Sequence, residues 1–69
     1  MTYRELTRKL KSLGSEFDRQ SRGSHEIWRN PATGIRTTIP NWGGRDLRHG
    51  TIRAIERDFE LDKPDFDQA

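Results

Sequence analysis

Cysteine is absent from this 69-residue chain. That excludes a disulfide framework and any thiolate metal site, and it removes the usual reason to place a small protein in an oxidising compartment, so a cytoplasmic location is expected. Long apolar runs are missing as well: no uninterrupted stretch exceeds three residues, far short of the ~18 needed to span a bilayer. The amino terminus carries no signal-peptide core, and a secreted or membrane protein is not expected. Histidine occurs only twice, as His25 and His49. Their spacing matches no ligand pattern, and His25-Glu26 lacks the second histidine of a zinc helix, so neither a metal nor another cofactor is expected. Gly43-Gly44 is followed by no lysine and Ser/Thr at the spacing of a phosphate-binding loop. Apolar residues are few, 29% against 35% charged, and a chain of this size hides only about 60% of its open-chain surface. One thin core and one domain follow. The apolar residues are nonetheless periodic and two are tryptophan, which argues for a folded chain rather than a disordered one.

Charge is present in quantity and unevenly divided. Residues 1–57 hold 12 Lys/Arg against 6 Asp/Glu (+6), and residues 58–69 hold 1 against 5 (−4). Arginine supplies most of the positive charge in the body, and its planar fork matches phosphate oxygens better than a lysine point charge does. The balance fits either a polyanionic partner or an ordinary solvated basic surface.

Tyr3, Leu6, Leu10 and Leu13 recur at spacings of three and four with basic residues between them, which predicts an amphipathic helix over about 3–13. Thr2 and Glu5 form a capping box at its start, and Gly14 can take the left-handed conformation that ends it. Ser15 to Gln20 reads as a weak edge strand whose one large apolar residue is Phe17. After the turn Ser21-Arg22-Gly23-Ser24, His25 to Arg29 reads as a second strand, and Ile35 to Pro40 as a third beyond Asn30-Pro31-Ala32-Thr33-Gly34. Leu47, Ile52, Ile55 and Phe59 mark a second helix starting near Gly50 or Thr51. The expectation is a two-layer α+β fold of order α-β-β-β-α over residues 1–60, a three-stranded antiparallel meander with both helices on one face. The other sheet face and its end loops are left for function. Residues 61–69 are acidic, contain Pro64, and are expected to form a flexible tail.

Parity places His25, Ile27 and Arg29 on one side of the second strand and Glu26, Trp28 and Asn30 on the other, so either Ile27 or Trp28 faces the core. With Ile27 inward, His25 would lie at the rim of the helix layer near Gly50 and Thr51, where free helix N–H groups suit phosphate. Imidazole is the side chain best suited to exchange protons near neutral pH, which makes His25 the leading candidate for chemistry. His49 reads as an exposed loop residue. Trp28 and Trp42 read as core or partner-contact groups, with base stacking the alternative for an exposed one.

Leu13-Gly14, Phe17, Arg19-Gln20, Gly23-Ser24-His25, Ile27, Pro40, Gly44, Leu47 and Gly50-Thr51 together resemble the HicA (YcfA-like) toxin family over roughly residues 4–58. Gly-Ser-His is a short motif, and the combination with length, element order and the Gly-Thr pair is more specific. The resemblance implies a fold like the double-stranded RNA-binding domain. It also implies a messenger-RNA interferase, the toxin of a toxin–antitoxin pair, neutralised by a HicB-like antitoxin. The family's catalytic histidine corresponds to His25. Many relatives have a second histidine where this chain has Glu26, another where it has Asn41 and Trp42, and a valine where it has Asp18.

In RNA the 2′-hydroxyl is a built-in nucleophile, so cleavage needs proton transfer and charge stabilisation, not necessarily a metal. The expected roles are His25 as acid or base, with Arg22, Gly23, Ser24, Arg29, Arg45, Arg48 and His49 contacting RNA. The chain would be a monomer alone or a hetero-oligomer with its antitoxin. Two alternatives use the same fold: a non-catalytic RNA-binding module, and a protein-interaction unit to which RNA is irrelevant.

Overall fold

The computed structural model describes residues 1–69, ordered α1 (Tyr3–Ser12), β1 (Glu16–Gln20), β2 (His25–Arg29), β3 (Arg36–Pro40), α2 (His49–Asp58) and α3 (Lys63–Gln68). The capping box forms as the sequence predicts: the Thr2 N–H donates to Glu5 Oε1 at 2.9 Å and the Glu5 N–H to Thr2 Oγ1 at 3.3 Å. These bonds from Thr2 hold the Glu5 carboxyl below the usual carboxylate range. At the other end Gly14 takes φ +99°, a conformation costly to any residue with a Cβ, and the Ser15 N–H returns to the Leu10 carbonyl at 2.9 Å.

The strands form one antiparallel sheet in the order β1-β2-β3. Opposed residues share a face. Glu26 pairs with Ile39 and Trp28 with Thr37, and all four are buried, so they form the inner face. His25, Ile27 and Arg29 therefore point to the face that the helices leave open. Trp28, not Ile27, is the inward residue, and the arrangement that would carry His25 to the rim near Gly50 and Thr51 is not adopted. The reason is chemical as well as steric: the indole is the larger apolar body, and its Nε1–H finds an acceptor in Glu26 Oε1 at 3.0 Å on the same face.

One apolar cluster joins Leu6 and Leu10 of α1, Trp28, Ile39, Leu47, Ile52 and Ile55 of α2, Phe59, and Phe66 of α3. Trp28 is its centre, 1% exposed, with Tyr3 and Phe17 rings edge-on at 6.5 and 6.2 Å. Phe17 itself stays half exposed on edge strand β1. Thr37 Oγ1 donates to Asp58 Oδ2 at 2.8 Å, tying β3 to the end of α2.

The expected flexible tail is corrected by α3. Pro64 stands in the first turn, where its missing N–H costs nothing, and Phe66 is 2% exposed in the core. Lys9 closes the other end: its Nζ donates to the Phe66 and Asp67 carbonyls, each at 3.1 Å, and lies 5.5 Å from the Phe66 ring centre. A cation on free C-terminal carbonyls is the favourable partner for a helix end. No helix is long and apolar enough to cross a membrane.

Candidate functional site

His25 is the first residue of β2 and is exposed. The turn before it is built by backbone and by one amide side chain. The His25 N–H donates to the Arg22 carbonyl and the Ser21 N–H to the His25 carbonyl, both at 2.9 Å. Gln20 Nε2 donates to the Gly23 carbonyl at 2.9 Å and to the His25 carbonyl at 3.0 Å. Gly23 sits at φ +54° with open space where a Cβ would project, so the glycine serves the turn geometry. Arg22, Gly23 and Ser24 are all exposed.

A second loop is fastened to this turn. The Asn41 N–H donates to the Ser24 carbonyl at 2.8 Å, while Asn41 Nδ2 reaches inward to Glu26 Oε2 at 3.2 Å and Asn41 Oδ1 accepts from the Gly43 N–H at 3.1 Å. Glu26 is therefore the hidden anchor of the region. Its carboxylate accepts from Tyr3 Oη at 2.6 Å, from Trp28 Nε1 and from Asn41 Nδ2. Burial pushes this carboxyl up, yet the three donors outweigh burial and leave it below the usual carboxylate range. The same contact, together with burial, pushes the Tyr3 phenol up to about 12, burial being the larger cause.

The second loop carries Trp42, partly buried against the core, with the guanidinium groups of Arg45 and Arg48 5.3 and 6.0 Å from its ring centre. Its one acid, Asp46, is matched by the N-terminal ammonium at 3.3 Å. Of the residues the sequence nominates, Arg22, Gly23, Ser24, His25, Arg45 and Arg48 thus belong to two joined loops at one end of the sheet. Arg29 and His49 do not. Arg29 stands four residues along β2 from His25, about 13 Å away by strand rise, opposite Arg36 and Glu16 on the open face. His49 opens α2 and lines a groove with Met1, Ile52 and Phe66 on the helix side.

The open face adds Arg19 and Arg36, which the sequence did not single out. They share Asp18, with Arg36 Nε at 3.2 Å and Arg19 Nη1 at 3.6 Å from Asp18 Oδ2. Asp18 occupies an irregularity in the β1–β2 register. Glu26, Asn41 and Tyr3 were also missed as supports; an acid inside an apolar strand beside a tryptophan was the available signal, legible only once the inward face is known.

A protein-family model described as the HicA toxin of bacterial toxin-antitoxin systems matches residues 3–61. Neither curated proteins nor solved structures give a significant match.

Proposed function

Because the chain belongs to the HicA toxin family of bacterial toxin–antitoxin systems, a membership that implies a HicB-type antitoxin partner, we propose that it is a metal-independent endoribonuclease acting on messenger RNA in the cytoplasm through His25. The observation that carries this reading is the position of His25. It is an exposed imidazole at the start of β2, on the uncovered sheet face, in a turn fixed by Gln20 and Asn41. Such a group is rigidly based and open to a large substrate.

In the proposed reaction the 2′ oxygen attacks the adjacent phosphorus as the bond to the 5′ oxygen breaks, leaving a cyclic phosphate and a free 5′-hydroxyl. His25 accepts the 2′ proton or gives one to the departing oxygen, and water exchanges the other. Arg22 on the same turn, with Arg45 and Arg48 on the adjoining loop, would hold the phosphate and offset charge building on its oxygens. Arg29, with Arg19 and Arg36, extends cationic surface along the open face and would contact RNA away from the scissile bond.

His25→Ala tests the assignment. RNA cleavage should fall by roughly 10²–10⁴-fold, with RNA affinity and melting temperature retained. An unchanged cleavage rate overturns the catalytic role of His25, and RNA binding without cleavage by the wild-type chain leaves the non-catalytic RNA-binding module.

A further inference from the structure

We propose that Trp42 is a base-stacking platform for single-stranded RNA, placed one or two nucleotides from His25. The inference rests on the RNA reading above and adds to it a residue and a strand class. Three observations carry it. His25 pairs with Pro40 across the β2–β3 ladder, and Trp42 is two residues further along. With ~3.8 Å per residue and ~5.5 Å across a ladder, the two Cα atoms lie within about 13 Å. The loop between them is not free to swing away, since Asn41 is bonded to the Ser24 carbonyl and to the buried Glu26 carboxylate. Finally, Trp42 contrasts with Trp28: one indole is sealed in the core, whereas the other is only partly covered and has two guanidinium groups against its ring.

An indole with guanidinium groups over its ring already holds a flat cation where an unpaired nucleotide would bring a flat base, and the displaced arginine then meets the phosphate beside that base. The only carboxylate on this loop, Asp46, is matched by the N-terminal ammonium, so Arg45 and Arg48 meet an incoming phosphate without a competing acid on their own loop. A base in a duplex keeps its faces stacked on its neighbours, so the platform serves single strands. The same surface against an antitoxin would call for acidic or apolar side chains rather than a base, and the experiment separates the two.

The full chain carrying His25→Ala, which slows turnover, is titrated with a short single-stranded oligoribonucleotide. Indole emission should be quenched. Trp28 is 1% exposed and stays silent, so the signal belongs to Trp42. In that background Trp42→Leu, which keeps apolar volume without a stacking ring, should abolish the quench and weaken binding about tenfold, whereas Trp42→Phe should stay within about threefold. Equal binding by Trp42→Leu and the parent overturns the proposal, as does equal weakening by Leu and Phe. Loss of antitoxin association with unchanged RNA affinity also overturns it, and assigns Trp42 to the protein partner. Cleavage by the His25→Ala chain at the wild-type rate would sink the catalytic reading alone, because the Leu–Phe contrast is read from binding.

Discussion

The two faces of β2 divide the labour of the molecule between adjacent residues. Glu26 and Trp28 point inward, lie under 8% exposed, and have their polar atoms bonded to one another or to Tyr3 and Asn41. His25, Ile27 and Arg29 point outward, and His25 is exposed. A side-chain period of two makes this separation automatic. It lets the chain hold its candidate catalytic group on a strand whose other face is buried in the core and hydrogen-bonded there. Position is fixed on one side and access is kept on the other.

That contrast breaks most sharply at Trp28. Trp28→Ala should cost about 3–5 kcal/mol in urea unfolding, much of what a domain of this size has, given that whole folds hold about 5–15 kcal/mol. A loss below about 1 kcal/mol would show that the inner face does not organise the fold. Glu26→Leu comes next, because it strands the Trp28 Nε1–H and the Tyr3 hydroxyl near the core at about 1–3 kcal/mol. It should also speed hydrogen exchange at the Asn41 and Gly43 amides. Unchanged exchange there would mean the loop does not depend on its inward anchor.

Alkaline pH gives a smaller effect of defined sign. The Tyr3 phenol is held up at about 12 from an ordinary 10.0, so the folded state keeps its proton more tightly than the unfolded one. The stabilisation is complete below pH 10, is lost as pH rises from 10 toward 12, and then levels off. Tyr3→Phe should remove this part of the alkaline decline in melting temperature. A wild-type decline matched in the Phe variant would place the proton elsewhere. The smallest change in stability belongs to the outer face: His25→Ala should alter unfolding free energy by no more than about 0.5 kcal/mol. Set beside the proposed fall in cleavage, that near-silence is what separates a working surface from a supporting one; a large loss of stability would erase the distinction.

Much of the architecture was legible because local rules and tertiary packing agree. Thr2 and Glu5 announced the start of α1, Gly14 its end, and the alternation around Ile27 and Ile39 the strands. α3 was illegible for the opposite reason. A six-residue segment with one large apolar side chain cannot hold a helix alone, and its supports, the core around Phe66 and the ammonium of Lys9, come from far away in sequence. Asp62-Lys63-Pro64 was the local hint, an N-cap type followed by a first-turn proline. The end of α2 was similarly veiled, since Glu60 takes φ +56° where a glycine would have flagged the stop.

For the candidate site, His25 and its turn could be picked out directly, and so could the arginines of the second loop. The union of turn and loop could not, because it runs through Glu26, whose inward direction follows from a parity that sequence left open. Arg29 and His49 were nominated for their chemical type, and geometry assigns them to other surfaces.

Asp18 gives the open sheet a property beyond its list of cations. By lying between Arg19 and Arg36, it is a resident counter-anion, so under the proposed function a nucleic acid crossing that face would exchange with a carboxylate rather than settle on bare charge. On that reading the face would work as a weak ion exchanger, loading and releasing a strand readily. Tenacity is left to the two loops at its end.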